Sequence, residues 1–385
     1  MSSKTDKKKA IMPKLRFPEF RDSGPWEVKK VGDIFKVTRG EVLSMKLVSD
    51  RPSTETPYPV YSSQTKNNGL SGYYSDYLYE DAITWTTDGA NAGDVKYRKG
   101  KFYCTNVCGV LLNEEGYANN FVAELLNTVT KKHVSYVGNP KLMNGVMAQI
   151  QIPLPQIEEQ QKIADCLSSI DELIELEAKK LDALKAHKKG LMQQLFPQEG
   201  ETTPRLRFPE FRDAGPWERY KFGELLTLEY GGSLPEESRL DGSIPVVGSN
   251  GVVGFHSEAL VSGPIIIVGR KGSVGEVNWI ESDCYPIDTT FYVKLKFQNS
   301  LLIFIKLLLE NANLTRLSDN GAVPGLNRND VYVLKTALPS EAEQQKIADC
   351  LSSIDELIEL QTKKLEALKA HKKGLMQQLF PQEVG

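Results

Sequence analysis

Residues 159–199 read EQQKIADCLSSIDELIELEAKKLDALKAHKKGLMQQLFPQE, and residues 343–383 repeat them with the exchanges Glu177/Gln361, Ala178/Thr362 and Asp182/Glu366. Apolar residues in the first copy recur at heptad spacing. One seam runs through Leu167, Ile174, Leu181 and Leu195, the other through Ile163, Ile170, Leu184 and Leu191. The second copy places Leu351, Ile358, Leu365 and Leu379 beside Ile347, Ile354, Leu368 and Leu375. Pro153 and Pro155 close the preceding segment, so the first helix is expected to begin at 156–159 with acids in its first turn. Both seams carry polar residues at equivalent places, Glu177/Gln361 and Lys188/Lys372, and polar seam residues fix register and partner. A single amphipathic helix lying on its own domain would also be apolar on one face. Two matching long seams in one chain favour an intramolecular antiparallel coiled coil.

Outward from the helices a second repeat follows. Residues 13–27 read PKLRFPEFRDSGPWE and residues 204–218 read PRLRFPEFRDAGPWE. The two pairs are offset by 191 and 184 positions, so the segment between them is seven residues shorter in the second half. Those intervening segments have diverged almost beyond recognition. The chain therefore divides into 1–27 (N-terminal segment and first linker), 28–155 (first variable domain), 156–200 (first helix), 201–218 (repeated linker), 219–339 (second variable domain) and 340–385 (second helix). A period this long in two copies is a duplicated unit, not a solenoid. Near-identical frames around divergent domains imply that the two domains bind different things.

Both variable domains alternate short β-rich runs with Gly, Asn and Ser turns: 58–62, 82–87 and 102–112 in the first, 244–248, 264–268 and 289–297 in the second. A helical stretch follows late in each, 120–130 and 300–311, and the apolar run 301–309 is broken by Lys306 as in a buried helix. These patterns give a mixed α+β class. Faint alignment survives between YPVYSS (58–63) and IPVVGS (244–249), and between TDGANAGDV (87–95) and GRKGSVGEV (269–277). The glycines of 269–275 lack the Lys-Ser/Thr end of a phosphate loop and the strand–helix setting of a dinucleotide fingerprint. A tight strand-to-strand turn presenting Arg270 and Lys271 fits better. Arginine can pair bidentately with guanine or phosphate, although an exposed turn arginine, or one paired with Glu276 or Asp288, is the plainer alternative. Candidate DNA contacts in the first domain are Ser62, Ser63, Gln64, Lys66, Asn67, Thr87, Asp88, Asn91, Lys141 and Asn144. In the second they are Ser249, Asn250, Arg270, Lys271, Ser273, Asn327 and Arg328. Lys185, His187, Lys188 and Lys189 could meet phosphate, or complement the helix C-terminus in solvent.

The formal net charge of −3 is unusual for a chain that grips phosphates unaided, so any basic surface must be local or shared with partners. Among Cys104, Cys108, Cys166, Cys284 and Cys350 no Cys-x-x-Cys pair occurs, and no metal site is expected; Cys166 and Cys350, at equivalent repeat positions, read as small buried residues. No apolar run reaches the roughly 20 residues of a membrane helix, and the polar start of the chain reads as no secretory signal, which points to the cytoplasm. There is no Walker loop, Asn139-Pro140-Lys141-Leu142 lacks the second proline and aromatic of an amino-methyltransferase loop, and the four histidines are scattered. No catalysis is expected of this chain.

The whole pattern resembles the specificity subunit of type I restriction–modification systems. The resemblance rests on two divergent domains, each followed by a helix introduced by LPQIEEQ (154–160) or LPSEAEQ (338–344), and on IPVVGSN (244–250), GRKGSVG (269–275) and PIDTT (286–290). The first domain departs from it at 85–91. The resemblance implies a non-catalytic reader of double-stranded DNA that binds two methyltransferase subunits and, through them, restriction/motor subunits. It implies no cofactor in this chain, with S-adenosylmethionine, ATP and Mg2+ used by the partners. Methyltransferases that clamp DNA would also relieve the charge deficit. A helix from 159 to 195, about 55 Å long at ~1.5 Å per residue, compares with a DNA repeat of ~34 Å and would act as a ruler between half-sites. The rival reading is a protein-interaction scaffold, two binding domains on a coiled-coil spacer.

Overall fold

The computed structural model describes residues 11–63, 66–296, 300–318 and 324–381. Two compact units emerge, one formed by 1–177 with 364–385 and the other by 178–363. Each therefore holds the first half of one long helix and the second half of the other. The helices run Ile157–Leu195 and Glu341–Leu379. In the first unit Lys372 donates to Asp171 at 2.8 Å and Lys364 to Glu177 at 2.5 Å; in the second, Lys188 donates to Asp355 at 2.8 Å. In the first unit partner numbers fall on one helix as they rise on the other, so its half-helices are antiparallel.

The seam positions Ile163, Leu167, Leu181, Ile347, Leu351, Ile354 and Leu365 are buried, and Ile170, Ile174, Leu184, Ile358 and Leu368 are half-buried. The polar seam residues Glu177 and Gln361 are buried too. Lys188 also reaches Glu310 at 3.5 Å, and Lys372 reaches Glu124 at 3.2 Å, so each seam lysine sits between a helix acid and an acid of its domain. That occupies Lys188, whereas Lys185, His187 and Lys189 stay exposed. Cys166 and Cys350 are half-buried rather than buried, because they lie one position off the seam.

The first unit's sheet has six strands in the order Lys36–Arg39, Cys108–Leu112, Tyr79–Thr86, Val95–Cys104, Tyr58–Tyr61, Leu70–Tyr74. Its pairings are antiparallel except that of Tyr58–Tyr61 with Val95–Cys104. The run 102–112, read as one strand, is two strands; the Cys108 amide bonds Thr105 carbonyl at 3.0 Å and closes a turn between them. In the second unit the corresponding strands split into a four-stranded and a three-stranded sheet. The reason is length: Val95–Cys104 spans both regions, whereas Val277–Ile280 ends early and Tyr285–Pro286 resumes in the other sheet. The predicted run 289–297 is seen as Thr290–Leu295, and its last residue, Phe297, lies outside the described residues. Helices Asn120–Val129 and Leu302–Asn311 bury Phe121, Leu125 and Leu126, and Phe304, Ile305 and Leu308, respectively. Among the described residues, no helix is long and apolar enough to cross a membrane.

The repeated linkers explain their own near-identity. Arg16 forks onto Glu159 at 2.7 and 2.6 Å, and Arg207 forks onto Glu343 at 2.7 Å through both nitrogens. Each arginine also donates to the two carbonyls just before its Pro-Trp pair. Gln160 and Gln344 are fully buried and donate to Pro155 and Pro339 carbonyls at 2.9 and 3.0 Å. The linker tryptophans complete aromatic clusters: Trp26 with Phe121 (5.6 Å) and Phe121 with Phe380 (5.4 Å); Trp217 with Phe196 (6.2 Å) and Phe304 (6.0 Å).

Candidate nucleic-acid interface

In the second unit the turn at 270–276 joins Ile265–Gly269 to Val277–Ile280. Gly272 and Gly275 adopt φ near +78°, which a side chain disfavours. Ser249, at the tip between Ile244–Gly248 and Gly251–His256, accepts from the Ser273 amide at 3.4 Å; Asn250 shares that tip. The segment before helix Arg328–Val333 docks on the same turn, where the Leu326 amide bonds the Arg270 carbonyl at 2.8 Å and Lys271 bridges Gly325. Ser249, Arg270, Lys271, Ser273 and Arg328 therefore converge from three separate segments. Asn327 is spent locally, capping its helix by accepting from the Asn329 amide at 3.0 Å.

Sequence reading missed Tyr230. The guanidinium groups of Arg270 and Arg328 each lie 4.9 Å from its ring centroid, and the ring is 49% exposed. Arg270 Nη1 donates to the Asp288 main-chain carbonyl at 2.8 Å, and Arg328 Nη1 to the Leu228 carbonyl at 3.2 Å. Asp288 thus holds Arg270 through its backbone, not as an ion pair. Stacking plus one carbonyl bond fixes each guanidinium plane and, among the described residues, leaves its other donors available, the pre-organisation that bidentate recognition needs. An exposed tyrosine ending a strand two turns away in sequence carries no pattern of its own, so only the fold reveals it.

Arg270→Ala gives a direct check. If Arg270 reads a base, binding should weaken by about 1–3 kcal/mol and one position of the preferred site should relax. If it meets phosphate, affinity should fall for all sequences and the salt slope should shrink by about one. Titration of single-base variants at two salt concentrations separates these outcomes, and unchanged binding would remove Arg270 from the surface.

The first unit arranges its candidates differently. Thr87 is buried and donates to the Val107 carbonyl at 3.0 Å, so its hydroxyl serves the turn. Asp88 pairs with Lys141 at 3.7 Å, and the Gly89 amide bonds the Pro140 carbonyl at 2.9 Å; 139–142 thereby buttresses 87–89. Asn91 lies in the same turn, its carbonyl taking the Asp94 amide at 3.0 Å. Asn144 lies apart from the turn and donates to the Thr38 carbonyl at 3.2 Å. Ser62 accepts from Thr105 at 3.1 Å, Ser63 follows half-buried, and Asn67 is exposed with φ +49°. Gln64 and the Lys66 side chain lie outside the described residues. Burial pushes the Cys108 thiol up to about 11 and raises Cys104 further, which makes both unreactive.

The family model described as "Type I restriction modification DNA specificity domain" matches residues 23–186 and 215–370. The chain belongs to this family. The MjaVIII specificity subunit of Methanocaldococcus jannaschii is 25% identical over 408 residues, covering 95% of this chain and 93% of that protein. Matches to Mycoplasma pneumoniae relatives are local. S.MpnORF285P is 36% identical over 41% of this chain and 56% of its own length, and the MpnII specificity subunit 36% over 41% and 51%. The chain thus spans about half the length of these two relatives. The crystal structure of the S subunit of a type I system from M. genitalium shares the fold, with a TM-score of 0.70 and 18% identity over 97% of this chain and all of that one.

Proposed function

We propose that this specificity subunit reads a bipartite, asymmetric DNA target, one half with each variable domain, and directs two methyltransferase subunits and, through them, restriction/motor subunits to it in the cytoplasm. The observation that carries this reading is the contrast between near-identical linkers and helices and divergent β domains within one chain. An identical frame suits two copies of one partner. Divergent faces, with stacked arginines in one unit and an Asp88–Lys141 pair in the other, suit two different half-sites. In this reading S-adenosylmethionine, ATP and Mg2+ belong to the partner subunits, and the shortage of positive charge here is supplied by them.

Exchange of residues 28–155 for the corresponding domain of another specificity subunit should alter one half of the methylated sequence and leave the other intact. Base-modification mapping of DNA from cells carrying the chimera reads this out. A change in both halves would refute the assignment of one reader to each domain.

A further inference from the structure

Arg98 lies within strand Val95–Cys104 of the first unit and is 9% exposed. Its guanidinium stacks on Tyr61, 3.7 Å from the ring centroid, and its Nε donates to Thr84 Oγ1 at 3.1 Å. Among the described residues no carboxylate pairs with it. The neighbouring acid, Asp94, is tied to Lys131 at 2.5 Å. Arg98 lines a recess of about 140 Å3 together with Ser62, Asn68, Thr84, Lys96 and the Lys131-paired Asp94. Burial also lowers the guanidinium's affinity for its proton, the mark of a charge poorly compensated from within.

The second unit shows what this place in the fold can hold instead. Ala82 faces Arg98 and Thr84 faces Lys96 across the first pairing, as Ile265 faces Ile280 and Ile267 faces Asn278 across the second. Tyr61 and Val247 match in the parallel pairing beside them. Arg98, Thr84 and Tyr61 thus stand where the other unit has Ile280, Ile267 and Val247, which pack together with Cys284 in an apolar cluster. The fold needs no charge there. A buried, unpaired guanidinium is costly, and it occurs in the unit that lacks the stacked arginine turn.

We propose that the Arg98 recess binds one phosphate-type oxyanion, taken by the terminal edge of the guanidinium, with Lys96 adding charge and Ser62 and Asn68 adding neutral donors. One face of the fork is fixed by Tyr61 and its Nε by Thr84, so the remaining edge presents the parallel donors that suit an oxyanion. The oxyanion can be a DNA backbone phosphate, a source that rests on the DNA-reading function proposed above, or free inorganic phosphate.

Two measurements on the full chain separate these sources. Wild type and Arg98→Met are melted in inorganic phosphate and in chloride at matched ionic strength. Their complexes with the methyltransferase are titrated with target DNA across a salt series. Free phosphate as ligand predicts that phosphate raises the wild-type melting temperature above that in chloride and leaves Arg98→Met unmoved. A DNA phosphate predicts that Arg98→Met weakens binding uniformly across base variants and shrinks the salt slope by about one. If Arg98→Met does not fold, Tyr61→Val with Thr84→Ile and Arg98→Ile copies the apolar cluster of the other unit and takes its place. The assignment is overturned if neither measurement distinguishes variant from wild type, or if the variant changes preference at a single base pair, which would make Arg98 a base reader. Should the wild-type complex fail to bind target DNA, the DNA-reading function falls and the phosphate melting alone decides the recess.

Discussion

Arg16→Ala should destabilise the first unit by about 3–5 kcal/mol, the cost of stripping one partner from a buried ion pair. Arg16 and Glu159 are 7% and 1% exposed, and their contact is a two-bonded fork. With arginine gone, the Glu159 carboxylate is left uncompensated under the linker, and the Ser23 and Gly24 carbonyls lose their donor as well. An exposed ion pair such as Lys162–Glu19, 3.1 Å apart and about half exposed on both sides, should cost no more than ~1 kcal/mol when broken. Replacing both members, Arg16→Met with Glu159→Leu, should recover much of the loss, since the uncompensated carboxylate leaves with its partner. Urea unfolding followed by circular dichroism gives the size of the effect. Hydrogen exchange locates it: amides around 16–26 and 157–165 should lose protection, while those around 207–217 and 341–349, built on the equivalent Arg207–Glu343 pair, should not. A loss of 1 kcal/mol or less would mean that this corner of the fold does not depend on its ion pair.

Why the frame could be read from sequence and the interface could not follows from the interactions involved. Heptad periodicity is set by burial on one helix face, so Ile163, Leu167, Ile347 and Leu351 show themselves by spacing alone. The linker repeat showed that Arg16 and Arg207 occupy equivalent places, but not what they do, because Glu159 and Glu343 lie more than a hundred positions away. In the variable domains the gap is wider. Turns announce themselves through Gly and Asn, which located the 269–277 and 87–95 loops. Whether a turn residue points outward depends on strands that pair across long separations. Thr87 aligns with Gly269, next to Arg270, yet it is buried in its own turn, and Tyr230 joins the arginines only because Leu226–Tyr230 pairs with Thr290–Leu295. The exchange of Trp85 and Gly109 for Val268 and Phe291 belongs to the same class. A side chain on Gly109 would meet the Trp85 ring at 2.1 Å, so bulk moved from one strand to its neighbour, and neither residue alone signals it.

On the proposed bipartite reading, lengthening both long helices by one heptad, at Ala178 and Thr362, should lengthen the spacer between the two half-sites by about three base pairs or abolish methylation. Seven residues add about 10 Å of helix and keep the apolar seam in phase. The two positions sit where each helix passes from one compact unit to the other, next to Glu177–Lys364 and away from the buried linker corners, so the domains themselves need not change. Four residues inserted at the same places would instead rotate the seam out of register. They leave the pairs within each unit in place, Lys188–Asp355 and Lys372–Asp171, but break the continuity of the seam where the helices pass between units, and should cost stability rather than move the site. The two insertions thus separate a ruler from a scaffold. If the helices set the distance, the heptad variant folds with the wild-type melting temperature and directs methylation of a site with a longer gap, read from modified-base maps. If they only hold the domains together, the heptad variant keeps the original spacer and full activity, and the ruler is refuted.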